Sequence, residues 1–146
     1  MAQAPEQIKP EGLADYLEVM TKAVFQSGMS WRVVEAKWDG FTEAFERFDP
    51  EQVAGFDVAD IDRLASDTRI IRNRRKIEAT VHNADTLLRL DAEGDGFDSW
   101  LSSQGTYGET RDALKREFKF LGDFGSYYFL YVVGQEVPPH DEVHSH

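Results

Sequence analysis

Cysteine is absent from this 146-residue chain. That excludes disulfides, thiolate catalysis and any zinc or iron–sulfur site that needs cysteine ligands. No apolar run approaches the ~20 residues that a membrane-crossing helix requires. The first residues, MAQAPEQIKPEG, are polar and lack the apolar centre of a signal peptide. A cytoplasmic protein without a membrane partner is therefore expected. No stretch alternates apolar and polar residues as a half-buried strand would. Lysine is scarce, six residues beside ten arginines.

What the chain does have is bulk for a core. Ten Phe, five Tyr and three Trp sit among 41% hydrophobic residues, enough for one packed interior and against general disorder. The expected organisation is a single domain over residues 12–134, between a flexible N-terminus (1–11) and a C-terminal tail (135–146). Apolar residues recur at helical spacing almost throughout. Leu13, Leu17, Met20 and Val24 share a face, as do Ile77, Val81, Ala84 and Leu88. Val34, Trp38, Phe41, Phe45 and Phe48 predict one long stripe of bulky residues. Helix punctuation agrees. Asp49-Pro50 reads as N-cap and first helical residue, Asp57 caps the next helix, Gly94 and Gly96 end the long one, and Thr110 begins a later one. The expectation is an all-α fold of seven or eight short helices.

The formal net charge is −11, which by itself argues against nucleic acid, since phosphate binding needs local positive charge. The distribution is uneven. From Arg63 to Lys76 six cations face one anion, a segment of +5 in a remainder of −16. Such an island is either a solvated helix face paired with nearby acids or a site for phosphate or carboxylate.

The run FKFLGDFGSYYFLYVVG at 118–134 places Gly122 and Gly125 inside an aromatic and aliphatic stretch. A helix running straight through would avoid them, at about 1 kcal/mol each relative to alanine. Two helices joined by a tight hairpin, with glycines that let a backbone come close, account for the pattern.

Four stretches line up: FQSGMSW at 25–31, FERFDPEQVA at 45–54, RIIRNRRKIEATVHNA at 69–84 and the glycine hairpin. In this order and spacing they resemble the DNA-3-methyladenine glycosylase I family, of the helix-hairpin-helix DNA glycosylase superfamily. The resemblance runs from about Asp15 to Gly134, and the 69–84 stretch is its most specific part. It implies a helical fold with a pocket, and hydrolysis of the bond between an alkylated purine, such as 3-methyladenine, and deoxyribose. A base in a duplex must leave the stack to be cut, and an aromatic platform holds it at about 1–3 kcal/mol per base. By this resemblance Trp31 stacks the flipped base, with Gln26, Ser27 and Ser30 beside it. Backbone N–H groups at Gly122 and Gly125, the Ser126 hydroxyl, Lys119, Arg72 and Arg75 meet DNA phosphates.

The family pattern carries a glutamate three residues before the Gln of the turn; this chain has Ala23 there. It also carries an E-W-G stretch and His and Cys zinc ligands near the N-terminus, which these residues do not supply, so neither metal nor cofactor is expected. Asp141 lies nineteen residues after Gly122, about where relatives in the wider superfamily place a catalytic aspartate, and is the candidate acid. The alternative is a helix-hairpin-helix module that binds DNA or a protein partner without chemistry.

Overall fold

The side-chain stripes form helices wherever a cap and an apolar face coincide. The computed structural model describes residues 5–139. These contain nine α-helices and no strand: α1 (Leu13–Gln26), α2 (Trp31–Ala36), α3 (Trp38–Ala44), α4 (Pro50–Ala54), α5 (Val58–Leu64), α6 (Arg74–Glu93), α7 (Phe97–Ser102), α8 (Tyr107–Glu117) and α9 (Asp123–Val132). A single 3-10 turn spans Glu46–Phe48. The all-α expectation holds, but the count exceeds seven or eight.

The extra elements come from the aromatic stripe. It is not one helix; α2, α3 and the 3-10 turn divide it. Glu46, Arg47 and Phe48 have φ of 53°, 55° and 60°, a left-handed conformation that costs roughly 1–2 kcal/mol per residue. The return is burial. Phe41, Phe45 and Phe48 are sealed in the core. Trp38 stacks on Phe41 and Phe48 at 4.9 and 5.3 Å between ring centroids. Periodicity marked these side chains as core, but the bends that let them stack depend on contacts far along the chain. Gly40 supplies one such contact: a Cβ there would collide with the Arg69 carbonyl oxygen and lie 2.8 Å from the Arg69 Cβ.

Helix α6 is the central strut, packed by α1, α4, α5 and α7. Its N-cap Asn73 accepts from Lys76 N, and it ends at Gly94. Asp49 and Asp57 cap α4 and α5 as their sequence positions require, Asp57 through a reciprocal box with Asp60. Helix α8 starts earlier than Thr110. Thr106 is its N-cap, in a box with Glu109, and Thr110 is one turn inside, its hydroxyl donating to Thr106 O at 2.9 Å. Within the N-terminal stretch, Ile8 N donates to Val132 O at 2.8 Å and the Gln7 amide to Tyr131 O at 2.9 Å. These bonds go to carbonyls in the last turn of α9.

Candidate functional site

Two irregular segments, brought side by side, make the site. The first is the end of α1. The helix stops at Gln26, and Gly28, at φ +70°, turns the chain toward α2. Lys76 reaches across from α6, buried, and its ammonium donates to Phe25 O at 3.1 Å and Ser27 O at 2.6 Å. A cation at a helix C-terminus satisfies orphan carbonyls and opposes the negative end of the dipole. Burial holds the Lys76 pKa below its ordinary value.

The second segment joins α8 to α9. Phe118 and Leu121 are buried, whereas Phe120 and Phe124 are exposed. Asn83, buried on α6, grips the backbone between them: it donates to Lys119 O at 3.1 Å and accepts from Lys119 N at 2.9 Å. Gly122 then caps α9. Its φ of −79° is open to any residue, and a Cβ there would meet nothing within 4 Å. Nothing inside the molecule demands glycine at this place. Gly125 lies in the first turn of α9, where a Cβ would rest 3.8 Å from the Ala23 Cβ.

Between these segments lies a cleft of about 230 Å³. One wall is Ala23, Gln26 and Ser27; the other is Phe120, Gly122, Asp123, Phe124, Gly125 and Tyr128. Three rings, two glycines and an alanine leave a flat hollow with polar atoms at one edge. Burial raises the Tyr128 pKa to about 12, and the nearby Glu35 and Glu18 add to this while a hydrogen bond from Gln26 opposes it. The phenol is therefore a protonated hydrogen-bonding group at neutral pH. Both acids are engaged elsewhere: Glu18 accepts from the Trp38 indole at 2.8 Å, and Glu35 pairs with Lys22 at 2.8 Å. Asp123 is the one carboxylate among the described residues that line the cleft. Lys115 lies 2.6 Å from it and Arg111 3.9 Å, and the Lys115 hydrogen bond keeps the Asp123 pKa below the usual carboxylate range.

The residues expected from sequence fall into three groups. Gln26, Ser27, Gly122 and Gly125 converge on the cleft. Arg72, Arg75 and Lys119 are exposed. Their neighbours Arg63, Arg69 and Arg74 pair with Asp60, Asp67 and Asp62, whereas Arg72 and Arg75 form no ion pair among the described residues. The basic island is thus part paired surface and part free cation.

Three further expected residues stand outside the cleft lining. Trp31 is 55% exposed at the start of α2 and outside the cleft lining, because α1 stops at Gln26 and the Gly28 turn intervenes. Ser30 is the N-cap of α2, its oxygen accepting from Arg32 N. Ser126 is fully buried, with its hydroxyl oxygen unbonded among the described residues; it faces the interior one turn into α9 and cannot meet an external phosphate. Asp141 lies outside the described residues. Sequence reading missed Phe120, Phe124 and Tyr128 as the aromatic wall, although all three stand in the run that holds the glycines. Their signal was the switch from buried to exposed positions across a turn, which periodicity does not report.

The methyladenine glycosylase family model matches residues 11–117. The chain belongs to this family. It is 33% identical over 130 residues to DNA-3-methyladenine glycosylase 1 of Escherichia coli (strain K12), covering 75% of this chain and 70% of that protein. With the DNA-3-methyladenine glycosylase of Haemophilus influenzae the identity is 32%, at the same coverage. The match to the family model ends before the glycine hairpin. A crystal structure of 3-methyladenine DNA glycosylase I superposes with a TM-score of 0.77 at 28% identity, covering 87% of this chain and 81% of that one. The Staphylococcus aureus enzyme whose structure concerns 3-methyladenine recognition gives 0.77 at 26% identity, covering 88% and 80%.

Proposed function

We propose that this chain is a DNA glycosylase that hydrolyses the N-glycosidic bond of alkylated purines such as 3-methyladenine. The observation that carries the reading is the cleft itself: a hollow lined by three rings and by Gly122, the N-cap of α9. A flipped purine fits between the α1 wall and the faces of Phe120, Phe124 and Tyr128. An alkylated purine nucleoside is cationic, so π faces attract it beyond stacking. Gln26, Ser27 and the Tyr128 hydroxyl provide hydrogen-bonding groups for its edge. Free N–H groups at Gly122 and the residues after it receive a phosphate, and Lys119, Arg72 and Arg75 neutralise the strand. These contacts are blind to sequence, as suits a repair enzyme.

The chemistry asks little of the protein. Alkylation has already placed a positive charge on the purine. When the glycosidic bond breaks, its electron pair neutralises that charge and the base leaves uncharged. Water adds at C1′ and gives up a proton, leaving an abasic sugar. No acid is needed to protonate the leaving group. The wall residue Ala23, where the family pattern has glutamate, removes a base-reading carboxylate without removing this route.

A second reading, a DNA-binding module without chemistry, draws on that same Ala23. One assay separates them: 3-methyladenine release from methylated DNA by purified folded protein. Release supports the glycosylase, and loss of release in Tyr128→Ala supports the cleft as its site. Binding to DNA with no base released at micromolar protein would leave only the module.

A further inference from the structure

We infer that Asp123 supplies the negative charge that stabilises the reacting sugar, a catalytic role on the α9 side of the cleft. The inference rests on the glycosylase reading above. A base in the cleft and a phosphate at Gly122 fix where the joining deoxyribose must lie: at the mouth, between them. Asp123 follows Gly122 in sequence and lines the same hollow. No other described residue lining the cleft carries a negative charge at neutral pH.

The step to be assisted is heterolysis of the bond from the purine to C1′. Its electron pair passes to the purine and cancels the alkyl cation, so positive charge moves onto C1′ and the ring oxygen of the sugar. A fixed carboxylate beside the sugar favours that redistribution, because it interacts more strongly with the transition state than with the ground state. Water then completes C1′ and releases its proton to solvent. Asp123 forms no covalent bond and need not take the proton.

The carboxylate is held for this purpose. Lys115 at 2.6 Å and Arg111 at 3.9 Å fix it from α8, and Tyr107, also on α8, feels its charge. From α1 it faces Ala23, Gln26 and Ser27 across the cleft, none of which titrates. Its pKa is depressed chiefly by the Lys115 hydrogen bond, so it is ionised wherever DNA is stable. An acid in the first turn of α9 also favours the helix dipole, so base-release kinetics are what separate a catalytic carboxylate from a structural one.

The experiment is a comparison of wild type with Asp123→Asn in single-turnover release of 3-methyladenine from methylated duplex, beside equilibrium binding to unmodified duplex. The variant is expected to bind duplex as tightly or more tightly and to release base about ten- to a hundredfold more slowly. Unchanged release by Asp123→Asn, or rate and affinity that fall together, overturns the role of Asp123 and leaves the glycosylase reading standing. Absence of release by wild type would remove both.

Discussion

Asparagine 83 is the place to strike the scaffold beneath the site. Its amide makes two hydrogen bonds to the backbone of one residue, Lys119, 36 positions along the chain. Alanine there deletes both and leaves the Lys119 N–H and C=O without their partner. Each lost bond costs about 0.5–1.5 kcal/mol, and a buried polar group left unsatisfied costs about 1–3. Lys119 is exposed, so water repairs part of the loss. The expected sum is roughly 2–4 kcal/mol. With a urea slope near 2 kcal/mol/M, the unfolding midpoint falls by about 1–2 M. Function should suffer beyond stability, because Asn83 fixes the turn that carries Phe120 into the cleft. At a temperature where the variant is folded, base release is expected to drop while far-UV circular dichroism stays native. Asp at this position keeps an acceptor but sets a carboxylate against the Lys119 carbonyl, and should cost at least as much. A midpoint shift under about 0.3 M for Asn83→Ala would refute the clamp.

Other positions give contrasting outcomes. Gly40→Ala should destabilise by about 1–3 kcal/mol or more from overpacking against Arg69, whereas Gly122→Ala should leave thermal stability unchanged and weaken duplex binding in a filter or anisotropy assay. Ser126→Ala should be neutral to slightly stabilising in urea and without effect on duplex affinity, since the hydroxyl is buried and unbonded. Alanine at Arg72 or Arg75 should lower the salt slope of duplex binding by about one each, while alanine at the ion-paired Arg74 should change it far less. Tyr128 sets an alkaline limit. Its folded pKa, raised from 10.0 to about 12, means the folded state holds the proton more tightly. This stabilisation is complete below pH 10 and is lost as pH rises through about 12, on the order of 2–3 kcal/mol in all. Urea midpoints measured from pH 9.5 upward should fall less steeply in Tyr128→Phe; equal slopes would count against the burial argument. Lys76, with a lowered pKa, contributes the opposite slope below 10.5 and should be compared in the same series.

Local chemistry determined much of this protein before any contact formed. Helical spacing fixed the fold class and part of the core, Leu17, Met20, Val24, Ile77 and Ala84 among it. Side chains that bond their own following backbone, Asp49, Asp57 and Asn73, fixed where helices begin. The motif residues Gln26, Ser27, Gly122 and Gly125 fixed two of the surfaces that meet at the cleft. Tertiary structure decided the rest, because it turns on groups distant in sequence. Periodicity saw one stripe from Val34 to Phe48, but the left-handed turn at Glu46–Phe48 exists only because stacked rings repay its strain. Spacing placed Trp31 next to Gln26; a single glycine turn moved it out of the cleft. Ser126 reads as a hydroxyl offered to a phosphate, yet it is fully buried in α9. The six cations of the basic island are equivalent in sequence, and only the fold shows that Arg63, Arg69 and Arg74 pair with Asp60, Asp67 and Asp62, that Lys76 is buried against backbone carbonyls, and that Arg72 and Arg75 have no ion pair among the described residues. The cleft has no signature of its own, since it is the space left where Ala23 and Gly125 bring two helices together and a clamped turn swings aromatic rings over the gap.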